Sequence, residues 1–375
     1  MAGIYIHVPF CVSRCGYCDF YKVTNFDHKE GYVDALLREL ELRRFFLEDA
    51  IVETIYFGGG TPSTLSLNQI ELILKAITQF FVLSDLVEIT VECNPDDITA
   101  EYLLGLKNLG VNRLSIGIQS FDDEMLRFMQ RRHNSMQSFK AIDLAKKVGF
   151  DNISIDLIYG LPNISNAAWI KNVKMALELQ ISHLSAYHLT IEKGTAFEKL
   201  LQNGVITEVE EENSVLQFDI LLDLAAKAGF EQYEISNFCK DGRYSQHNSN
   251  YWFGVPYLGL GPSAHSYNGK SRFWNVSDLS KYLLSLSRSE LPLQEELLTD
   301  IDKFNETLMI GLRTKWGVNI NHFQNTLSPT LLVHFNNVLE SQLSNGNVYL
   351  QNGFVRIESS KFMVSDSIIS NMFYL

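Results

Sequence analysis

The chain has no excess of positive charge. Its 375 residues carry 31 Lys and Arg against 44 Asp and Glu, a formal net charge of −13 at pH 7. A protein that coats nucleic acid neutralises phosphates with clustered Lys and Arg, so that class is excluded, although a local basic pocket is not. No uninterrupted apolar run approaches the roughly 20 residues of a membrane-crossing helix. The opening stretch MAGIYIHVPF lacks the basic region of a secretory leader and runs directly into strand-like alternation. An even set of cysteines is also missing: there are five, three of them crowded into CVSRCGYC. That crowding suits a reducing compartment and a metal or redox role better than a disulfide framework, and a cytoplasmic protein is expected. Neither a solenoid-period repeat nor a low-complexity linker is present.

What is there is an ordinary globular composition, 46% hydrophobic and 20% charged, long enough for two or three domains. The first two-thirds repeats a short β-branched run, a turn and a helical stretch. Strands are predicted at GIYIHV, VETIYF, VEITVE, RLSIGIQ, NISIDLIYG and HLSAYHLT. Helices are predicted between them, the first over YVDALLRELELRRFF with its apolar spacing running on to Phe46 and Leu47. The helix after the sixth strand should begin in the acidic run EVEEEN, which suits a helix N-terminus. Such alternation means βαβ units and a parallel sheet, with ligands expected at the C-terminal strand ends. The pattern changes near residue 235. Residues 1–235 are expected to form one core. Residues 236–299 look like linking loops with short strands, and 300–375 like a small α+β domain of winged-helix type, with VYLQNGFVRI as an Asn-Gly hairpin.

Cys11, Cys15 and Cys18 lie just past the first strand. Three free core thiols, a zinc site completed by a distant His, and an iron–sulfur cluster are the readings open to them. A four-iron cluster on three thiolates leaves one iron without a protein ligand, open to a small molecule. Gly58, Gly59 and Gly60, with Thr61 and Pro62, close the second strand. A turn does not need three glycines, whereas bare backbone lets a ligand approach closely. Glu92, Gln119 and Asp156 sit at or near the ends of the third, fourth and fifth strands. An Asp in an apolar strand needs a partner, and Arg131 is the one expected. GLGPSA is not a dinucleotide fingerprint, because no first strand of a βαβ unit precedes it. HNSNYW is either a structural turn packed with aromatics or a haem-binding element of imidazole and flat rings. His265 is expected in the core or behind the site's contacting residues, supporting them, and Cys93 and Cys239 as free thiols.

CxxxCxxC after the first strand of a βα array resembles the radical S-adenosylmethionine (SAM) superfamily. Together YIHVPFC, GGGTP, GIQSF, SIDLIYGLP, HNSNYW and GLGPSAHS resemble its branch of oxygen-independent coproporphyrinogen III oxidases (HemN) and haem chaperones (HemW). The match covers nearly the whole chain and is thinnest past residue 300. The resemblance implies an α/β fold, an incomplete (β/α)6 TIM-like barrel of radical SAM type. It implies a [4Fe-4S] cluster on Cys11, Cys15 and Cys18 with SAM on the open iron. It implies SAM contacts from Tyr5, Tyr17, Gly59, Gly60, Thr61, Glu92, Gln119, Arg131 and Asp156. In the chaperones HNxxYW is associated with haem, making His247, Asn248, Tyr251 and Trp252 the haem-binding candidates. The oxidases carry a further cysteine where Phe20 stands, and a long extension where only four residues precede Tyr5. Both departures point to the chaperones. The expected function is haem binding and delivery to an acceptor such as a respiratory haem enzyme, with an electron donor such as flavodoxin or ferredoxin. The alternatives are an oxidase converting two propionates to vinyls with loss of CO2, and a radical SAM enzyme with another substrate.

Overall fold

The computed structural model describes residues 1–375. Six parallel strands lie side by side in chain order: β1 (Ala2–Val8), β2 (Val52–Gly59), β3 (Leu83–Cys93), β4 (Arg113–Gln119), β5 (Asn152–Tyr159) and β6 (His183–His188). Helices connect them, among them Lys29–Leu42, Leu67–Phe80, Ser135–Val148 and Asn166–Glu178. Strands covered on both faces usually read as continuous apolar runs. These alternate. Ile4, Ile6, Ile55, Phe57, Val91, Leu114, Ile116, Ile155 and Leu184 are fully buried in the main core. Their neighbours of opposite parity, Thr54, Glu88, Thr90, Glu92, Arg113, Ser115, Ser154, Asp156, His183 and Ser185, put polar groups on the other face. One face of the sheet therefore drives folding by apolar burial, and the other lines a polar interior.

Residues 236–299, expected as linking loops, extend this sheet at both edges. β7 (Glu231–Gln232) and β8 (Asn237–Cys239) lie beyond β6. β9 (Tyr257–Leu260) pairs parallel with β1, followed outward by β10 (His265–Tyr267), β11 (Ser271–Asn275) and β12 (Leu293–Leu297). A division at residue 235 thus cuts across one twelve-stranded sheet. The sequence reads loops and short strands here; that these strands join the barrel sheet escaped it, because two to five residues give little period-2 signal. The first helix also stops at Leu42 instead of continuing to Leu47. Arg43 turns inward and pairs with Glu39 at 3.1 Å, both essentially buried. The Glu39 carboxylate also accepts from Tyr282 Oη (2.7 Å), Asn275 Nδ2 (2.7 Å) and the Gly261 amide (2.9 Å). Arg43 donates to Gly259 O and to Ser266 Oγ, each at 2.9 Å. This ion pair ties the first helix to the β9–β11 edge.

After β6 come two helices rather than one, Ala196–Gln202 and Glu211–Lys227. The second has Glu211 and Glu212 in its first turn, where the helix dipole favours them. The C-terminal part runs helix Asp300–Gly311, strand β13 (Val318–Asn319), helices Ile320–Gln324 and Pro329–Ser344, and strands β14 (Tyr349–Gln351) and β15 (Phe354–Arg356). That order, with an antiparallel sheet β13-β15-β14, is the winged-helix arrangement. Asn352 and Gly353 take φ 53° and 79°, the left-handed pair that a tight hairpin turn requires. No helix is long and apolar enough to cross a membrane.

Candidate functional site

A cavity of about 560 Å³ opens at the C-terminal ends of the parallel strands. The loop after β1 forms one wall. Its backbone is pinned by Cys11 N–H to Val23 O (2.9 Å), Gly16 N–H to Met129 O (3.1 Å) and Phe197 N–H to Gly16 O (3.0 Å). Cys11, Cys15 and Cys18 all face this cavity. They do not close on one point, as the ligands of a single metal ion would. Cys11 is buried, and burial pushes its thiol pKa up, opposed by the hydrogen bond from Thr61 Oγ1 at 3.3 Å. Arg131 reaches Cys15 Sγ at 3.4 Å. A hydroxyl and a guanidinium are thus aimed at two of the three sulfurs.

The glycines of the second strand end are demanded by packing. Gly59 has φ +109°, and a Cβ there would lie 2.6 Å from His7 Nδ1. A Cβ on Gly60 would lie 2.8 Å from Val8 O. The β2 end therefore closes against the strand that delivers the cysteines, with both glycines on the cavity wall. Across the cavity, Glu92 accepts from Tyr56 Oη at 2.8 Å, and burial pushes its carboxyl pKa up to about 7. Asp156 is pushed up to about 6 by burial, with the hydroxyls of Ser185 and Ser115 and the cations Arg113 and Arg131 pulling it back.

The expected Asp156–Arg131 ion pair does not form. Arg131 donates to Asn94 Oδ1 and to Gly117 O, both at 2.6 Å, because its segment follows β4 and lies over that strand's end. A Cβ on Gly117 would sit 3.0 Å from Gln119 Nε2 and 3.3 Å from Arg131 Nη2. The wall is thus bare backbone where polar side chains converge, and the buried Arg131 Nε has no partner. Gln119 is held at φ 68°, where the ladder between β4 and β5 shifts register. Three thiols on one cavity wall, an unpartnered donor, two carboxyls and bare backbone fit a cluster and a polar, zwitterionic ligand.

Of the residues predicted to hold SAM, Tyr17, Gly59, Gly60, Thr61, Glu92, Gln119, Arg131 and Asp156 line this cavity. Tyr5 does not. Its hydroxyl meets His7 Nδ1 at 3.2 Å, and it lines a second cavity. Sequence reading missed Asn94, Ser115, Gly117, Tyr187 and His188. Strand parity would have found two of these, since Ser115 and Gly117 alternate with the core residues Leu114, Ile116 and Ile118.

HNSNYW lies in helix Gln246–Trp252, packed at the N-terminal strand ends, away from the cysteines. The amides of Gln246 and His247 donate to Glu88 at 3.3 and 3.2 Å. His247 is 2% exposed. Its Nδ1 meets Thr54 Oγ1 at 2.8 Å, its Nε2 meets Tyr251 Oη at 2.9 Å, and its ring stacks 5.1 Å from Tyr56. Burial lowers its pKa to about 3. With both nitrogens engaged inside the barrel, His247 as placed offers no free lone pair to iron. Asn248 lines neither large cavity. Tyr251 and Trp252 line the second cavity, about 1020 Å³, between the β1, β9 and β10 edge and the C-terminal domain. Its walls include Tyr21, Tyr257 and Tyr267 on one side and Phe304 and Phe323 on the other. His265, expected in the core or behind the site's contacting residues, is exposed on this wall. Phe20 lines both cavities. Cys93 and Cys239 are free and buried, and burial pushes both thiols up, Cys239 to about 12. In GLGPSA the Gly261 amide is spent on Glu39, which leaves no phosphate cradle.

Comparison with known proteins agrees with this geometry. Residues 5–176 match the model of the radical SAM superfamily, and residues 298–360 that of the HemN C-terminal domain. The chain is 36% identical to the heme chaperone HemW of Lactococcus lactis subsp. lactis, over 86% of this chain and 84% of that protein. It is 35% identical to the heme chaperone HemW of Bacillus subtilis, over 93% of both. The solved coproporphyrinogen III oxidase (HemN) of Escherichia coli superposes with a TM-score of 0.86 at 22% identity, covering 99% of this chain and 90% of that one.

Proposed function

The chain belongs to the radical SAM superfamily, in the family of the HemW heme chaperones, and on that premise we propose that it binds haem and hands it to an acceptor protein. The observation that carries the reading is 35% identity over 93% of the chain to a protein named a heme chaperone. A large aromatic-walled cavity beside the cysteine cavity supports it, being of the size and character of sites for flat apolar ligands. Cys11, Cys15 and Cys18 would hold a [4Fe-4S] cluster, which supplies a one-electron donor and an open iron for SAM. Thr61 and Arg131 would stabilise the thiolates from either side. Glu92, Asp156, Gln119 and the bare backbone at Gly117 would take the polar groups of SAM. A flavodoxin or ferredoxin would reduce the cluster, a respiratory haem enzyme would accept the haem, and the exchange would take place in the cytoplasm.

The likeness to the oxidase is one of fold, at 22% identity. The residue at the position of the oxidases' extra cysteine is Phe20, which is 66% exposed between the cavities and offers no thiol. The test is an anaerobic incubation of cluster-reconstituted protein with SAM, a reductant and coproporphyrinogen III, with porphyrins resolved by chromatography. Absence of product, with stoichiometric haem binding by the same preparation, is expected. Protoporphyrinogen formed over many turnovers would refute the chaperone reading.

A further inference from the structure

We propose that haem lies in the second cavity, with His265 as the axial ligand to iron and Arg272 and Lys303 at the propionates. This rests on the haem-binding reading above and adds where the haem sits and what holds it. The cavity has three histidines on its wall. His7 is excluded, since its Nδ1 meets Tyr5 Oη and its Nε2 meets Tyr21 O. His322 lies in the five-residue helix Ile320–Gln324 of the C-terminal domain. His265 is in strand β10 of the main sheet, exposed, with its ring stacked 6.2 Å from Trp274 on β11. The fold is built to put it there. A Cβ on Gly259 would lie 1.9 Å from His265 O, so β10 can turn back this closely only over a glycine. The turn is locked from beneath by the buried Glu39–Arg43 pair, which holds the Gly261 amide, Gly259 O and Ser266 Oγ. Burial, with Arg272 adding to it, lowers the pKa of His265, which keeps the imidazole neutral and able to ligate.

The cavity supplies the rest of what haem needs. Trp252, Phe253 and Tyr267 offer flat apolar surface to the macrocycle. Arg272 on β11, paired with Glu306 at 2.7 Å, and the exposed Lys303 on helix Asp300–Gly311 line the cavity from its two sides, beside the acidic Asp300 and Glu306, and are the two cations within it for the propionates. The groove lies between two folding units, where a ligand can leave without crossing the core, as delivery to another protein demands.

The test is a haemin titration of the full-length protein followed by its Soret band, for the wild type, His265→Ala and His322→Ala. His265 is exposed, so its removal leaves the melting curve unchanged, which serves as the folding control. The expected result is affinity at least about tenfold weaker for His265→Ala, with the wild-type spectrum restored by added imidazole, and little change for His322→Ala. Unchanged spectrum and affinity in His265→Ala, or loss only in His322→Ala, would overturn the assignment while leaving haem binding intact. A wild type that binds no haem would overturn the chaperone reading itself, and this site with it.

Discussion

Replacing His247 with Ala should weaken the fold and leave the haem spectrum alone. The imidazole joins Thr54 Oγ1 and Tyr251 Oη, at 2.8 and 2.9 Å, and fills the space against Tyr56. Its loss orphans the fully buried Thr54 hydroxyl and the half-buried Tyr251 hydroxyl, at about 1–3 kcal/mol for each buried group left unpaired. A void the size of an aromatic ring costs a comparable amount. Together these come to about 3–9 kcal/mol, read as a lower denaturant midpoint at pH 7.5. The pH dependence is the sharper test. The folded chain holds His247 neutral, with a pKa near 3, while the unfolded chain protonates it below about 6.5. The unfolded state then binds the extra proton, so this contribution to stability is present above pH 6.5 and lost as pH falls towards 3. The wild type's advantage over His247→Ala should shrink by about 1.4 kcal/mol per pH unit below 6.5. A variant of wild-type stability that has lost its Soret band would refute the reasoning and restore His247 as the ligand.

Cys15→Ala should abolish the brown absorbance near about 400 nm of reconstituted protein, and a variant that stays brown removes the cluster assignment. Glu92 has a folded pKa near 7 against 4.5, so the folded state holds its proton and loses stability as pH rises through that window. Relative to the wild type freed of cofactors, Glu92→Gln should gain up to about 3 kcal/mol between pH 4.5 and 7.5; parallel pH–stability curves contradict this. Glu39→Ala strands the buried Arg43 and should cost about 3–5 kcal/mol in urea unfolding. A loss below about 1 kcal/mol would show that the β9–β11 edge does not depend on this tether.

What was legible in the sequence was local. The cysteine spacing, the glycines at the end of β2 and the alternation of strands and helices each lie within one short stretch, and the cysteine cavity assembles nearly as those stretches suggest. What was illegible was contact at a distance. Nothing around HNSNYW reveals that His247 will be sealed by Thr54, 193 residues earlier, so a motif that reads as a ligand set folds as a plug. Nothing around GLGPSAHS reveals that Glu39, 222 residues away, takes the Gly261 amide. That contact is what makes GLGPSA a locked turn carrying His265 and not a nucleotide loop. Tyr5 lines the second cavity for a related reason. Its strand carries the cysteines at its end, but β9 pairs along its other edge, and the second cavity forms on that side. The two cavities are therefore built on one strand and share a single wall residue, Phe20. Position 20, where the resemblance places the oxidases' extra cysteine, is also where the cysteine cavity meets the aromatic one. A cysteine there would bring a fourth thiol to their junction, and a phenyl ring brings apolar surface to both.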